Sequence, residues 1–358
     1  MRKVFPACVL LAIFPIGFAA GGEDFSILIK QPSADRWMYP ANGTPGTRAQ
    51  ASTFSALPND TETDNRFGQF IFRFDTAAAG IPAGLGAENY DISAITVTAT
   101  IGQDRLFRYD PTQDAWTTYG MAAAPDGDLG RPLELHGTGF RNGFTSASFQ
   151  ENSAFSGGSP AQRNAYALGF DGNGFPRDVT DNVSDAFESR PWAVGQILGL
   201  APGDLVPEDT IVRFTLDPTL PGVAAYIRNG LNAGAIWFTL SSLHPAIQQG
   251  GEFVSYLTRD SAVHMVFGDA APALALTASI VPPAFRTFSI SSAGMVTLAF
   301  PGLPGFTYTL QASPDLTPSS WVNVQTFPAP LAAADFTWQG APNPPRRFFR
   351  ISRSPATP

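Results

Sequence analysis

The sequence predicts an all-β protein, in which a large jelly-roll-like β-sandwich precedes a small immunoglobulin-like β-sandwich. Three observations support this prediction. Many short segments alternate apolar with polar residues at a period of two, and helical patterning is scarce. The 358 residues also include 34 glycines and 32 prolines, which favour turns between these segments. Short strands separated by such turn residues are typical of sandwiches and jelly rolls.

The chain begins with the pattern of an export signal. Arg2 and Lys3 precede an apolar run from Val4 to Ala20, which contains two prolines and ends in small residues. This run is shorter than the ~20 residues of a membrane-spanning helix, so we interpret residues 1–20 as a cleaved signal peptide. The only cysteine, Cys8, leaves with it. We therefore expect a bacterial protein that is secreted, periplasmic or at the cell surface, without disulfides and without a transmembrane segment after signal removal.

The large domain is predicted over residues 21–275. Its clearest strands are residues 70–74, where three phenylalanines share one face, and residues 95–101, where apolar residues alternate with threonine. Further strands are predicted at residues 25–30, 211–216, 235–241, 252–257 and 263–267. One helix is predicted at residues 223–231, where apolar side chains recur at helical spacing.

A proline-containing connection at residues 276–284 is predicted to link the two domains. The small domain then covers residues 285–353, and a polar tail follows at residues 354–358. Six short strands are predicted in the small domain, at residues 285–290, 295–300, 306–312, 321–327, 335–338 and 347–352. About this many short strands in so short a domain favour an immunoglobulin-like sandwich.

The first part of the large domain carries a characteristic order of strands and loops. A strand that ends in Phe-Asp leads through a proline-containing loop to a strand that opens with Ser-Ala. The matching residues are Asp35, Asn42-Gly43, the run from Phe70 to Asp75, Ile81-Pro82-Ala83-Gly84, and the run from Ile92 to Val97. This pattern resembles the DNRLRE or disaggregatase-related modules, which are exported, carbohydrate-binding-like jelly rolls. The resemblance implies a jelly-roll fold and a glycan partner, and residues 104–187 depart from the compact outline of that family.

The second domain carries a different resemblance. Its matching residues are the run from Phe306 to Leu316, then Trp321, and the closing run from Arg347 to Ile351. They look like the short fibronectin-III-like or immunoglobulin-like domains of exported bacterial proteins. The resemblance implies a spacer or an adhesion and display module without catalytic residues.

Charge and missing motifs exclude several classes of function. The formal net charge is −8, which argues against nucleic acid as a partner because phosphate binding needs a basic face. Of the 30 acidic residues, only Asp315 and Asp335 follow residue 280, so the acidity belongs to the large domain and suits cations or neutral glycans. The sequence has no G-x-S-x-G, no H-E-x-x-H and no phosphate-binding loop. Its three histidines, His136, His244 and His264, show no metal-ligand spacing.

Two acidic turns are candidate calcium ligands. Asp126 and Asp128 stand two residues apart, and Asp171 and Asn173 open a second loop that begins like a calcium-binding loop and then departs from it. Hard oxygen ligands in turns predict a structural Ca²⁺, with no other cofactor. The alternative is that Asp, Asn and Gly simply form turns.

Aromatic residues among polar residues are the candidate ligand-binding groups, because exposed rings stack on the apolar faces of sugars. We expect three such places, the first two in loops or hairpins and the third at Trp192 after Arg190-Pro191. The first is beside Asp35-Arg36 and the second is the preferred segment at residues 109–119. The candidate residues are Trp37, Tyr39, Tyr109, Asp114, Trp116 and Tyr119.

These features favour an exported, noncatalytic binding or surface adhesion protein that recognises a polysaccharide or an envelope glycan. One alternative is an exported polysaccharide hydrolase with its site in residues 104–187. A glycosidase needs two carboxylates across a cleft, and the first glutamates to consider are Glu134, Glu151 and Glu188. The other alternative is a purely structural surface protein, since jelly rolls serve all three functions.

Overall fold

The chain forms two compact units built from antiparallel sheets, which confirms the predicted all-β sandwich fold. The computed structural model describes residues 23–40, 42–55, 64–120, 127–157, 162–220, 222–246, 251–341 and 348–356. The large unit is Asp24–Ser279, and the small unit runs from Ile280 onward and includes Glu23.

The described part of the large unit contains strands β1 to β13 and helices α1 to α3. The strands are β1 Asp24–Ile29, β2 Ala34–Met38, β3 Gln50–Thr53, β4 Gln69–Phe74, β5 Tyr90–Thr100, β6 Glu134–Phe140, β7 Ala165–Phe170, β8 Pro176–Asp178, β9 Ala193–Val194, β10 Ile211–Thr215, β11 Ile236–Ser241, β12 Val254–Leu257 and β13 Ala273–Ile280. The helices are α1 Trp116–Gly120, α2 Val223–Ala233 and α3 Ala262–Phe267, and a short 3-10 helix spans Ala87–Asn89.

The strands of the large unit form two main sheets. One sheet has four strands in the order β1-β13-β5-β10, and the other has the order β2-β4-β11-β6-β7-β8, with β9 also paired to β6. A separate pair joins β3 to β12. The central strand β11 is buried along its whole length, so its sheet is covered on both faces. Neighbouring strands pair antiparallel throughout this sheet.

One face of the seven-stranded sheet carries the phenylalanine core that the alternation predicts. Phe70, Phe72 and Phe74 on β4 are fully buried, and Phe72 lies opposite Phe238 of β11. Their rings lie 5.2 to 6.3 Å apart in tilted and edge contacts. Each buried phenylalanine contributes about 1.5 to 3 kcal/mol relative to an exposed one, so this cluster holds the sheet in the sandwich.

The opposite face of the same sheet is covered by the long segment that departs from the expected jelly-roll outline. Trp237 and Ile71 are buried there against Phe149, which lies between β6 and β7. Partly buried Phe144 and Phe155 from the same connection pack around this cluster. The insertion therefore completes the fold by covering a second apolar face, and it does not stand apart as a separate lobe.

The predicted strand at residues 263–267 is wrong, because these residues form helix α3. The hydroxyl of Ser261 accepts the backbone N–H of His264 at 3.0 Å, and Gly268 ends the helix in a left-handed conformation. A mainly apolar run of five residues fits either a strand or a helix by periodicity, so the flanking cap residues decide.

Three other expectations are corrected. Trp37 belongs to strand β2 and not to a loop, and residues 109–119 end in α1 instead of forming only a hairpin or loop. The predicted linker at residues 276–284 begins within β13, since residues 273–280 alternate apolar and small residues and pair with β1. The predicted helix at residues 223–231 is confirmed as α2, with Val223, Ile227 and Leu231 buried.

The described part of the small unit contains six strands in two three-stranded sheets. They are β14 Thr287–Ile290, β15 Val296–Gly302, β16 Phe306–Ser313, β17 Val322–Phe327, β18 Ala334–Gly340 and β19 Phe348–Pro355, with a 3-10 helix at Pro318–Ser320. The sheet orders are β14-β15-β18 and β17-β16-β19. Phe300, Tyr308, Phe327 and Phe336 pack together at its centre, with ring centroids 5.0 to 5.8 Å apart.

Candidate functional site

A cleft of about 380 Å³ opens in the large unit where β7 ends and α2 begins. It is bounded by the turn after β7, by the loop before β9, and by the segment that leads into α1. The lining side chains used below are Gln113, Phe170, Asp171, Glu188, Arg190 and Trp192. This volume is near the lower end of the range for small-molecule sites in proteins.

The inner wall of the cleft is aromatic. Trp192 is 2 % exposed, lies parallel to Phe170 with ring centroids 5.7 Å apart, and meets Tyr226 edge-on at 4.9 Å. The indole lies directly over β6, because Gly137 has no side chain there. A Cβ on Gly137 would stand 2.1 Å from the indole Cη2, which no real contact permits. The glycine in β6 is therefore what allows this aromatic wall.

One rim of the cleft is the turn between β7 and β8. The Asp171 carboxylate accepts backbone N–H groups from Asn173 and Phe175, both at 2.9 Å, through one oxygen. Asp171 and Asn173 were predicted as calcium ligands, and these hydrogen bonds are the ones that shape an aspartate turn. Phe175 at the same turn is 67 % exposed, so its aromatic ring is largely unpacked.

Glu188 and Arg190, both exposed, form another part of the rim. The Glu188 carboxylate accepts the backbone N–H of Trp116 at 3.3 Å, which ties this rim to the start of α1. Arg190 has a φ of +41° directly before Pro191, a conformation that is strained for a non-glycine residue. Its guanidinium lies against the Asp171 turn, since a Cβ on Gly172 would stand 3.4 Å from Nη1. Strain of this kind is concentrated at functional sites.

Residues 109–119 contribute to the cleft mainly through Gln113. Tyr109 is buried, and its hydroxyl accepts the Ile197 N–H at 3.1 Å, so its role is to hold the loop. Trp116 is half-buried at the start of α1. Tyr119 donates its hydroxyl to Asp114 and lies under the Arg131 guanidinium, 4.7 Å from the ring centroid. Exposed Gln113 was not among the predicted ligand-binding residues, although it lies within the preferred segment.

Three carboxylates near this segment come together. Asp110, Asp114 and Asp128 each offer an oxygen within 4.8 Å of the others. The Thr112 hydroxyl lies 2.7 Å from Asp110 and 3.2 Å from Asp128, and burial together with Asp114 raises the pKa of Tyr119. The hydroxyl groups of Thr112 and Tyr119 thus form hydrogen bonds with these carboxylates. Asp126, which was predicted to bind calcium together with Asp128, lies outside the described residues.

The other predicted aromatic pair lies far from the cleft. Trp37 and Tyr39 are half-buried and stack on each other at 4.7 Å, and Phe54 and Phe67 pack against them edge-on. The Trp37 indole donates to the Ser52 carbonyl at 2.8 Å. Four strand spacings, roughly 19 Å, separate β2 from β7, so the structure does not bring this pair to the cleft.

Two of the three candidate glutamates are held in ion pairs. Glu134 is 3 % exposed, pairs with buried Arg66, and lies 3.3 Å from the His136 imidazole. Burial opposes its ionisation, but the charges and hydrogen bonds of Arg66 and His136 together outweigh burial and lower the pKa of Glu134 to about 2. Glu151 is bound by both oxygens to Arg259, at 2.7 and 2.6 Å. Of these three glutamates, Glu188 is the one that lines the cleft.

The three histidines are structural side chains in the interior. His136 and His244 are buried, and burial lowers the pKa of both. His264 links α3 to its surroundings, because its Nε2 lies 2.9 Å from Gln31 and its Nδ1 accepts the Ala271 N–H at 3.0 Å. None of them lines the cleft.

The sequence matches no protein-family model and no curated protein. Among the residues described, the helices are too short or too polar to cross a bilayer.

Proposed function

We propose that this protein is an exported, noncatalytic glycan-binding protein, and that it holds a neutral polysaccharide or envelope glycan in the cleft of the large unit. The observation that carries the proposal is the pairing of an aromatic wall with a polar rim. Phe170 and Trp192 line the same cleft as Gln113, Asp171 and Arg190. Sugars present apolar ring faces and hydroxyl edges, and such a lining matches both.

The polar groups of the rim supply donors and acceptors for hydroxyl groups. Gln113 offers both, Arg190 donates, and Asp171 and Glu188 accept. Charges of opposite sign face the same space, so a neutral ligand with many hydroxyl groups fits better than a polyanion. Exposed Phe175 at the rim supplies a second stacking surface beyond the cleft itself. The small unit would then serve as a spacer or display module, as its resemblance implies.

A second candidate function is hydrolysis of the bound polysaccharide. One observation favours it, because the carboxylates of Asp171 and Glu188 both line this cleft. Glycosidases use such a pair as acid and base or as acid and nucleophile. Asp171 already accepts two backbone N–H groups through one oxygen, which suits a turn-forming role and favours the binding proposal.

The test is retention of the protein on insoluble polysaccharides and on a glycan array. We expect Gln113→Ala and Phe175→Ala each to weaken binding about 2- to 10-fold, as the loss of one hydrogen bond or one ring contact does. The matched control is Leu198→Ala, which trims a fully exposed apolar side chain away from the cleft. Retention that is unchanged in both cleft variants would refute the proposed site.

A reducing-sugar assay on the same glycans separates binding from hydrolysis. Release of product that disappears in Glu188→Gln would favour the hydrolase. Binding without product release would favour the noncatalytic protein. Repeating the retention assay with EDTA, and then with added calcium, tests the structural Ca²⁺ expected at Asp126 and Asp128 or at Asp171 and Asn173.

A further inference from the structure

Strand β1 is an open edge of the four-stranded sheet, and we propose that it pairs with β1 of a second copy of this chain to form a symmetric dimer. The proposal is independent of the glycan cleft, which lies on the other sheet. β1 ends the strand order β1-β13-β5-β10. An uncovered edge presents unpaired backbone N–H and C=O groups, which can form hydrogen bonds with another strand.

The register shows which backbone groups of β1 face outward. β1 pairs antiparallel with β13, from Asp24 opposite Ser279 to Ile29 opposite Leu274. Directly before this ladder, the Ile280 N–H donates to the Glu23 carbonyl at 3.3 Å. In an antiparallel pair, every second residue bonds to the partner strand. Phe25, Ile27 and Ile29 therefore bond to β13.

Ser26 and Leu28 consequently direct their backbone groups away from the sheet. Within the described residues, these groups make no backbone hydrogen bond outside the β13 ladder. The other end of the sheet differs, because Arg213 of β10 exchanges hydrogen bonds of 2.8 and 2.9 Å with Gln196. Among the residues that the structure describes, one edge of this sheet is paired and the β1 edge is not.

The open edge is complementary to itself. If two copies pair antiparallel about a twofold axis at Ile27, Ser26 of each lies opposite Leu28 of the other. The inner-face side chains also meet, with Phe25 opposite Ile29 and Ile27 opposite its own copy. All three are half-buried at the edge, so the pairing completes their burial. Aromatic and β-branched pairs of this kind stabilise a sheet.

The charges at the two ends of β1 select the same register. In this register Asp24 lies opposite Lys30 of the second copy, and the twofold axis repeats the ion pair. Both side chains are exposed, and neither has an ion-pair partner in the described residues. If the second strand were shifted by two residues, Asp24 and Lys30 would no longer lie opposite each other. If it were shifted by one residue, the outward-facing backbone groups of one copy would meet inward-facing groups of the other. The twofold axis closes the assembly at two copies and does not generate a fibre.

The interface is small, so the dimer should be weak. β1 is six residues long, and Leu28 at its middle is 62 % exposed. An edge pairing of this length falls at the low end of specific protein interfaces. We expect a monomer–dimer equilibrium in the micromolar range, that is, a Kd between roughly 1 and 100 μM.

Sedimentation velocity over about 1 to 100 μM protein tests the proposal. The protein is purified as the expressing cell produces it, and mass spectrometry records its N-terminus. Ser26→Pro removes one outward N–H without touching the β13 ladder, a position that tolerates proline. We expect it to abolish the dimer while circular dichroism and the urea midpoint stay unchanged. Asp91→Lys is the matched charge control on an exposed residue of β5.

Charge reversal supplies the second test. Asp24→Lys alone and Lys30→Asp alone each bring like charges together twice, and we expect each to weaken self-association by about tenfold or more. Mixing the two single variants should restore association as a heterodimer, because the opposed charges are again unlike. The double variant Asp24→Lys/Lys30→Asp should also dimerise.

Each outcome decides the proposal. A protein that stays monomeric over this range overturns it. A dimer that survives Ser26→Pro or that is indifferent to both charge reversals uses another surface and overturns it as well. A dimer that is lost in the single variants and regained on mixing supports the antiparallel β1 pairing.

Discussion

Replacing the buried Asp35 with asparagine should change how the stability of the large unit depends on pH. Asp35 on β2 is 1 % exposed, and its carboxylate accepts the backbone N–H of Arg259 at 2.8 Å. Burial raises its pKa to about 7 from the usual 3.8, against the opposing effect of Arg259 and with help from Asp260 and Glu151. The folded state therefore holds a proton that the unfolded state releases at lower pH.

The sign and size of the effect follow from this shift. Below about pH 4 both states hold the proton, and the stabilisation from the raised pKa is fully present. As the pH rises toward about 7, the unfolded state loses its proton first, so the free energy of unfolding falls. A shift of about three pKa units corresponds to about 4 kcal/mol over this window. Asp35→Asn cannot ionise, so it should match the wild type near pH 4 and exceed it at pH 8.

Urea unfolding at several pH values between about 4 and 8 measures this difference, with m-values showing that the transition is unchanged. Other groups titrate in the same window, including Asp181, whose pKa burial raises to about 6. The difference between variant and wild type is therefore the quantity to compare. Asp91→Asn serves as the exposed control and should run parallel to the wild type. Parallel curves for Asp35→Asn would refute the reasoning.

Three further predictions concern packing. Glu134→Gln should lower the free energy of unfolding by about 3 to 5 kcal/mol in urea titrations, because it leaves a buried guanidinium without its counterion; a loss under about 1 kcal/mol would contradict this. Gly137→Ala should displace the Trp192 indole and weaken any glycan retained in the cleft, while Gly127→Ala, which adds a methyl to open space, should not. Ser261→Ala should destabilise the large unit by about 1 kcal/mol through loss of a helix cap, and an unchanged urea midpoint would exclude that role.

Strand content could be predicted from local pattern because alternation records which face of a sheet is buried. Residues 70–74 and 95–101 lie in β4 and β5, and the six predicted strands of the small domain correspond to β14 to β19. The pattern failed at residues 263–267, where Ser261 and Gly268 cap a helix. A mainly apolar run of five residues is too short to distinguish the helical period from the strand period, so the capping hydrogen bond decides.

The candidate cleft could be predicted only in fragments. The aspartate turn at Asp171, the glutamate Glu188 and the segment that holds Gln113 were each singled out from composition. Nothing in the sequence shows that these three meet, because they are 17 to 75 residues apart along the chain. The pairing of β7 with β6 and β8 positions the Asp171 turn among them.

Aromatic residues show most clearly what the sequence predicts and what only the tertiary structure decides. Composition and alternation predicted a phenylalanine-rich core, and most phenylalanines of β4 and β11 are indeed buried. Residue type could not show that Phe175 is exposed while Tyr109 is buried, since both stand among polar residues in a turn-rich segment. A side chain's burial depends on what the rest of the chain places over it. In this protein the long insertion covers one face of the sheet, and its neighbouring loops leave the cleft open.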